Sequence, residues 1–341
     1  MPYPLLILTE SGTKIGFGHL NRCLSLAHAF RNAGIETEIW AATHDTQPNA
    51  LAPEIRSVDW YGLSGDLAQN AAHYRAILVD SYVATLSDVE KVYSIHPRVA
   101  VIDDYLRREY TRGIVIDWTV GAEAFAFQRK HRGVRYLLGS QYCALRPEFQ
   151  GAAKRIPAPA LKALLVTFGG TDVQNLTNPV CERLQKEFPQ IEKNIVIGAG
   201  SRAATMPRMS GRGIFYHVGV RAWEMRALMQ AADIVVCGGG QTLYEAASQG
   251  LPPVIVTLVP NQEDDIREFV RAGFGIHAGT WERDDLLESV IAGIRALCPL
   301  EVRTRHQEAG QRCVDGTGAE RLVSTLLSEW SKTPHWHSGS G

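Results

Sequence analysis

The stretch CGGGQTLYEAASQGLP at positions 237–252 places three consecutive glycines between an apolar run and an amphipathic segment. The run before the glycines is typical of a buried strand, and the residues after them are typical of a helix. Backbone amides at the start of such a helix can bind a diphosphate. Glu245 lies about one turn into the helix, where its carboxylate can accept both hydroxyls of a ribose; alternatively it only offsets the helix dipole. The stretch predicts a nucleotide site with these candidate residues: Gly239, Gly240, Gln241, Thr242 and Glu245.

Short apolar runs alternate with longer amphipathic stretches along the rest of the chain, as in parallel sheets covered by helices. In the first half the predicted strands are 5–9, 36–41, 76–80, 99–103, 114–117 and 137–138, with a helix over 20–33. In the second half they are 163–168, 193–197, 214–217, 234–237 and 253–256, with a helix over 175–187. We therefore predict an α/β protein with two Rossmann-like, doubly wound domains that face each other across a cleft.

The segment RIPAPA at 155–160 contains two prolines and predicts the connection between the domains. Proline stiffens a linker and cannot continue a helix. The expected boundaries are 1–154 for the N-terminal domain, 160–330 for the C-terminal domain and 331–341 for a tail.

Composition excludes several classes of protein. The 341 residues carry 35 Lys and Arg against 36 Asp and Glu, a net charge of −1 that gives no attraction for nucleic acid. Six cysteines form no C-x-x-C pair, which argues against a disulfide framework and against a zinc knuckle. The apolar runs are too short to span a membrane, and the N-terminal residues lack the pattern of a signal peptide. We expect a cytoplasmic protein.

A first glycine turn, IGFGHLNR at 15–22, joins the first strand to the first helix. Gly16 and Gly18 allow the backbone to approach a ligand closely, and His19 stands where the turn becomes helix. The turn is neither a dinucleotide fingerprint nor a Walker loop, because the third glycine and the Lys-Ser/Thr pair are missing. His19 is therefore a candidate functional residue, with a capping or packing histidine as the alternative.

A second glycine turn, FGGTD at 168–172, opens the second half. Gly169 and Gly170 could admit an anionic group. The alternative is a tight strand-to-helix turn that Asp172 closes by capping the helix.

Further motifs occur in order along the chain: VDSY at 79–82, VIDD at 101–104, LLGSQYCALRPEF at 137–149, VTFGGTD at 166–172, PNQE at 260–263 and DGTGAER at 315–321. Together with both segments quoted above, these motifs resemble the UDP-2,4-diacetamido-2,4,6-trideoxy-β-L-altropyranose hydrolases of pseudaminic acid biosynthesis. The resemblance covers about residues 9–327. The layout also resembles the two-domain nucleotide-sugar fold called GT-B, in which the C-terminal domain holds the nucleotide.

The resemblance implies hydrolysis of a UDP-linked diacetamido sugar to UDP and the free sugar, with inversion. His19 would be the general base that activates water. The expected enzyme needs no metal and no cofactor, acts on a small-molecule UDP-sugar and is a monomer. Amides and helix dipoles would stabilise the departing diphosphate, and H-E-x-x-H is absent.

The remaining candidates are substrate-binding residues of the turns and strand ends: Gly16, Gly18, Arg22, Asp80, Tyr82, Asp104, Tyr142, Arg146, Asn261 and Gln262. Asp80, Ser81 and Tyr82 would contact the sugar or orient His19, with capping as the alternative for the Asp and Ser. Asp103 or Asp104 could orient a sugar amide. Arg146 could instead pair with a carboxylate, and the amide pair at 261–262 could be ordinary loop polarity.

Three departures from the family pattern occur. Glu10-Ser11 stands where the family usually has an aspartate, Asp117-Trp118-Thr119 stands where it tends to have asparagines, and Gly-Gln-Thr replaces the commoner Gly-Ser-Thr. Since the first two fall on the sugar side, they leave the identity of the sugar open. A GT-B glycosyltransferase and a non-catalytic nucleotide-sugar binding module remain as alternatives.

Overall fold

Parallel strands form two separate sheets in the structure, a computed structural model that describes residues 3–12, 18–44, 55–62, 65–125, 131–151, 153, 155–201 and 211–333. The candidate Gly16 and most of the predicted tail lie outside the described residues. The strands are β1 Leu5–Gly12, β2 Thr37–His44, β3 Ile55–Ser57, β4 Ala76–Asp80, β5 Val99–Ile102, β6 Gly113–Asp117, β7 Val134–Leu138, β8 Ala163–Thr167, β9 Glu192–Ile197, β10 Ile214–Val218, β11 Ile234–Gly238, β12 Pro253–Thr257 and β13 Ile276–Thr280.

Helices cover these strands. They are α1 Gly18–Asn32, α2 Gly65–Asn70, α3 Leu86–Ile95, α4 Ala122–Phe125, α5 Thr177–Glu187, α6 Ala222–Ala231, α7 Gln241–Ser248, α8 Glu263–Arg271, α9 Leu286–Leu297, α10 Leu300–Cys313 and α11 Gly318–Ser331. Among the described residues, none of these helices is both long and apolar enough to cross a membrane.

The chain divides into two compact units. Unit 1 comprises Met1–Pro147 and Thr317–Gly341, and unit 2 comprises Glu148–Gly316. The seven-stranded sheet of unit 1 has the order β3-β2-β1-β4-β5-β6-β7, and the six-stranded sheet of unit 2 has the order β10-β9-β8-β11-β12-β13. In each sheet the strand order reverses beside the unit's first strand, as in doubly wound folds, where ligands bind beyond the carboxyl ends of the strands. The predicted fold class is confirmed.

The unit boundaries differ from the predicted domains at α11, which had been placed in the C-terminal domain. The rings of Phe30 on α1 and Trp330 on α11 are stacked with centroids 6.2 Å apart, and both side chains are buried. The carbonyl of Thr333 accepts a 2.7 Å hydrogen bond from Arg98. The apolar face of α11 is therefore covered by unit 1.

The proline-containing segment at 155–160, predicted as the connection between the domains, lies within unit 2. Gln307 and Gln311 of α10 donate to the carbonyls of Arg155 and Ala153, at 2.9 and 2.7 Å. The buried Arg303 donates to the Ala158 carbonyl. These bonds hold the segment against α10.

Candidate functional site

The carboxyl ends of β4, β5 and β6 bring three acidic positions to one edge of the unit 1 sheet. Asp80 ends β4, Asp103 and Asp104 follow β5, and Asp117 ends β6. The strand β1 pairs with β4, and the helix that follows it, α1, presents His19 and Arg22 near the same edge. This arrangement follows from the topology, because parallel strands end together.

His19 and Arg22 both contact the carboxylate of Asp80. Nδ1 of His19 lies 2.9 Å from Asp80 Oδ1, while Arg22 donates from Nε to Oδ2 at 2.6 Å and from Nη2 to Oδ1 at 2.5 Å. Nη2 of Arg22 also lies 3.1 Å from His19 Nδ1. We assign the imidazole proton to Nδ1, because the carboxylate is the stronger acceptor and the Arg22 nitrogen already donates to it. Nε2 of His19 is then the atom that can accept a proton.

Asp80 is fully buried yet remains ionised. Burial alone would raise its pKa, but the Arg22 guanidinium and the His19 ring hold the pKa well below its usual range. A negative charge beside Nδ1 favours the imidazolium that forms when Nε2 takes a proton. The pair therefore has the geometry that a general base with an orienting carboxylate would need.

Arg22 is occupied by protein groups in this structure. Besides Asp80 it donates from Nη1 to Asp104 Oδ2 at 2.7 Å, and its guanidinium carbon lies 5.1 Å from the Trp118 ring centroid. It is 8% exposed. Arg22 thus joins two carboxylates behind His19, and its predicted contact with substrate remains a prediction.

Tyr82 and Gly18 provide the accessible surface around His19. The Tyr82 ring is tilted 57° to the His19 ring, with centroids 5.6 Å apart, and Tyr82 is 37% exposed. The Arg107 guanidinium covers the Tyr82 ring at 3.6 Å. A Cβ built on Gly18 meets nothing within 4 Å, so the start of α1 has open space in front of it. These features suit contact with a sugar.

Asp103 and Asp104 have different surroundings. Asp103 is buried and pairs with Arg107 at 2.9 Å and Arg108 at 3.0 Å, while burial raises its pKa in spite of these cations. Asp104 is partly exposed and pairs with Arg22. Of the two, Asp104 is the one connected to His19.

Glu10 is a site residue that the sequence analysis treated only as a departure from the family pattern. It is fully buried on β1 and accepts hydrogen bonds from the Tyr61 hydroxyl at 2.6 Å, the Ser81 hydroxyl and the Tyr82 amide at 2.7 Å. The Val83 amide lies 3.2 Å from it. Glu10 therefore fixes the turn that presents Tyr82. A charged residue shortly after the apolar run that begins β1 is the signal that could have identified it.

Glu10→Gln should lower the free energy of unfolding by about 1–3 kcal/mol, because an amide NH₂ would face groups that are themselves donors. Urea unfolding measures this loss. Glu90→Gln, at a half-exposed ion pair with Arg112, is the control and should change stability by less than about 1 kcal/mol. Equal stabilities of the Glu10 variant and the unmodified protein would contradict the assigned hydrogen bonds.

Tyr142 and Arg146 both follow β7 in the chain. Tyr142 lines a cavity of about 410 Å³ together with Val134 and Tyr136 of β7. In the sheet order, β7 stands three strands from β4. Arg146 is half-buried in the segment after β7. The predicted role of both residues as walls of the sugar site remains a prediction.

The triple-glycine turn of unit 2 needs its glycines for close packing and for conformation. A Cβ on Gly238 would lie 2.5 Å from a Leu258 methyl, and one on Gly239 would lie 2.9 Å from Gln262 Cβ. Gly240 has a φ of +87° and immediately precedes α7. The turn therefore runs tightly over the segment after β12 and leads directly into α7, whose first residues are Gln241 and Thr242.

Gln262 holds this turn. Its Oε1 accepts from the Leu258 amide at 3.0 Å, and its Nε2 donates to the Gly239 carbonyl at 3.3 Å. The side-chain amide predicted to contact substrate is thus used inside the protein. Asn261 beside it is exposed and stays a candidate for contact with ligand.

The other nucleotide candidates of unit 2 divide by exposure. Gly169 and Gly170 are exposed, and Cβ atoms built on them meet nothing within 4 Å. Asp172 is buried and its carboxylate accepts from the amides of Leu176 and Thr177, so it caps α5 as the alternative interpretation stated. Glu245 is 1% exposed on α7. Its contact with a ribose remains a prediction.

No group of three or more His, Cys, Asp or Glu residues in the described part of the chain is arranged to hold a metal ion.

Residues 163–315 match the model of the glycosyltransferase family 28 C-terminal domain. The matched region lies within unit 2 and contains both of its glycine turns and Glu245.

Two curated proteins are similar to a larger part of the chain. The spore coat polysaccharide biosynthesis protein SpsG of Bacillus subtilis is 28% identical over 195 residues, which cover 55% of this chain and 57% of that protein. A Helicobacter pylori protein named pseudaminic acid cytidylyltransferase and UDP-2,4-diacetamido-2,4,6-trideoxy-beta-L-altropyranose hydrolase is 21% identical over 276 residues, covering 79% of this chain and 47% of that protein. The chain spans about half the length of the curated relatives it matches.

Solved structures are similar in fold over nearly the full length of the chain. The S. aureus MnaA–UDP co-structure has a TM-score of 0.65 at 13% identity, and the likeness covers 98% of this chain and 100% of that one. At this identity the likeness establishes the fold, which is GT-B.

Proposed function

We propose that the protein is a nucleotide-sugar enzyme, and more narrowly that it hydrolyses a UDP-linked 2,4-diacetamido-2,4,6-trideoxy sugar to UDP and the free sugar. The observation that carries the proposal is the pairing of His19 Nδ1 with the buried, ionised Asp80. The match of unit 2 to a glycosyltransferase C-terminal domain supports a nucleotide donor. The name of the Helicobacter pylori relative supports hydrolysis and the class of sugar.

In the proposed reaction, His19 Nε2 takes a proton from water as the water oxygen attacks the anomeric carbon. The bond from that carbon to the diphosphate oxygen breaks, and its electron pair leaves with UDP, so the configuration inverts. Asp80 stabilises the imidazolium. The backbone amides of the exposed Gly169 and Gly170 and of the half-buried start of α7 would receive the diphosphate and stabilise its developing charge.

Glycosyl transfer is the second candidate, and the family 28 match favours it. In that case Nε2 of His19 would accept the proton of an acceptor hydroxyl instead of water. The nucleotide site would be the same, so only the fate of the sugar separates the two functions.

The test is incubation of the full chain with a panel of UDP-sugars in the absence of any acceptor, with and without EDTA. The panel includes UDP-2,4-diacetamido-2,4,6-trideoxy-β-L-altropyranose and UDP-N-acetylglucosamine. We expect release of UDP and free sugar from the diacetamido substrate, at equal rates with and without EDTA. NMR taken early in the reaction should show the inverted anomer.

UDP release that requires an added acceptor would replace hydrolysis by transfer. UDP binding by calorimetry without turnover of any substrate or acceptor would indicate a binding module. Activity that EDTA abolishes and Mg²⁺ restores would overturn the metal-independent mechanism.

A further inference from the structure

Asp117 is a fully buried carboxyl group that the proposed mechanism does not use. Its Oδ1 accepts from the Thr119 amide at 3.0 Å and the Thr119 hydroxyl at 2.6 Å. Its Oδ2 is buried without a hydrogen-bond partner among the described residues. A buried carboxylate oxygen without a donor is costly, whereas a protonated oxygen carries a donor of its own.

The turn after β5 folds over this carboxyl group. The Asp103 amide donates to the Ile116 carbonyl at 2.9 Å, and the Tyr105 backbone lies close enough to Asp117 to oppose the rise of its pKa. Tyr105 and Leu106 have φ values of +64° and +46°, so two consecutive non-glycine residues adopt the left-handed region. Such conformations cost free energy and persist where surrounding contacts enforce them. Asp117 therefore lies against the turn that carries Asp104, and this turn has a fixed conformation.

Asp117 forms no ion pair with a cation in the part of the chain that the structure describes. Arg22 carries one positive charge and pairs with both Asp80 and Asp104. Asp104 Oδ1 is itself buried without a hydrogen-bond partner among the described residues. Burial, together with the negative charge of Asp104, raises the pKa of Asp117 to about 7. Thr119 and the Tyr105 backbone oppose this rise. A third carboxylate here would be uncompensated.

We propose that Asp117 is a positioning residue that works as a neutral carboxylic acid, so that Arg22 stays committed to Asp80 and Asp104 behind His19. When Asp117 loses its proton, its charge repels Asp104 and attracts Arg22, which loosens the contacts that orient the His19 ring. The inference rests on the proposed function for its catalytic part, while the protonation of Asp117 is independent of that function.

The groups around Asp117 define the expected pH range. Asp104 faces it from the turn after β5, with Arg22 of α1 beyond Asp104. On the other side the Gly139 amide donates to the Asp117 carbonyl, and the Glu123 carboxylate of α4 lies against Gly139. Since Asp117 is buried beside Asp104 and has no ion pair among the described residues, its ionisation should occur near neutral pH, within the range in which a histidine base works.

The first test measures protonation without any substrate. Asp117→Asn keeps an acceptor at the Oδ1 position and supplies a neutral donor at the Oδ2 position. The folded protein binds the Asp117 proton more tightly than the unfolded chain, so this group lowers stability as pH rises from about 4 to about 7. The melting temperature of Asp117→Asn minus that of the unmodified protein should therefore increase from about pH 4 to about pH 7 and stay constant above about pH 7.

One control variant and one independent measurement accompany this test. Asp285→Asn, at an exposed ion pair with Arg283, should show no such gain. The infrared spectrum of the unmodified protein at pH 6 should contain a carboxylic-acid band that is missing in Asp117→Asn. An Asp117→Asn variant that is equally destabilised at pH 5 and pH 8.5, or a spectrum without that band, would overturn the proposal.

The second test measures kcat of the UDP-sugar reaction against pH. The fraction of neutral Asp117 falls about thirtyfold between pH 6 and pH 8.5 for a pKa near 7. The ratio of kcat for Asp117→Asn to kcat for the unmodified protein should rise over that interval by up to about thirtyfold, with little change in KM. A constant ratio would remove the positioning role even if the protonation is found. If no UDP-sugar is turned over, the proposed function fails, and the stability and infrared measurements still decide the protonation.

Discussion

His19→Asn should lower kcat for UDP-sugar hydrolysis about 10²–10⁴-fold, because asparagine keeps a polar side chain but cannot accept a proton near neutral pH. The side chain of His19 is 13% exposed. Its contacts with Asp80 and Arg22 described above both involve Nδ1, which leaves Nε2 for the water. UDP affinity should hardly change, since the nucleotide candidates belong to unit 2. The measurement is kcat, UDP affinity and the melting temperature on one preparation.

His28→Asn is the matched control, because His28 lies on the same helix at a half-buried position and takes no part in the Asp80 cluster. It should leave kcat within about twofold of the unmodified protein. A fall in kcat of less than tenfold in His19→Asn would place the base elsewhere, and a lowered melting temperature with full turnover per folded molecule would make His19 a packing residue.

Asp80→Asn should have the largest combined effect of any single change. Breaking a buried ion pair by removing one partner costs about 3–5 kcal/mol, since the buried Arg22 would keep its charge without the Asp80 carboxylate. The amide would also favour the wrong tautomer of His19, and kcat should fall by about 10⁴-fold.

The pH dependence of stability checks the electrostatic part of this prediction. The pKa of Asp80 is lower in the folded protein than in the unfolded chain, so its contribution is present above the unfolded value and is lost as pH falls through the folded value. The stability gap between Asp80→Asn and the unmodified protein should therefore be full at pH 7 and shrink in strong acid.

The control is Asp233→Asn in unit 2, where a buried carboxylate accepts from the amides of Lys162 and Ala163. This variant should lose stability while keeping its kcat per folded molecule. An Asp80→Asn enzyme with normal kcat would show that the Asp80 contact is structural alone.

Most strands could be predicted because buried parallel strands are continuous apolar runs. The bounds of β4 were predicted without error, whereas β3 and β13 were missed. The strand β3 has only three residues, two of them exposed, and β13 contains Gly279 and an exposed His277. Both are edge strands, which are less buried than central strands. Neither is therefore a continuous apolar run, which is the pattern used to predict the other strands.

The site could be predicted where local sequence and topology agree. His19 follows β1, Asp80 ends the neighbouring β4, and the contact that the sequence analysis considered between them is present. Arg22 stands three positions after His19 on the same helix face, which signals a shared partner that the prediction of substrate contact overlooked. The internal bonds of Gln262 depend on how the segment after β12 meets the glycine turn, and a single sequence gives no distance for that approach.

The return of α11 to unit 1 has a consequence for synthesis on the ribosome. Phe30 of α1 emerges early, but its partner Trp330 is made only after the whole of unit 2. At about 5–20 residues per second, translation of unit 2 takes roughly 10–30 s. During that time the part of α1 around Phe30 lacks the helix that packs on it in the finished protein. The helix that carries His19 is thus among the last parts of the nascent protein to reach its final packing.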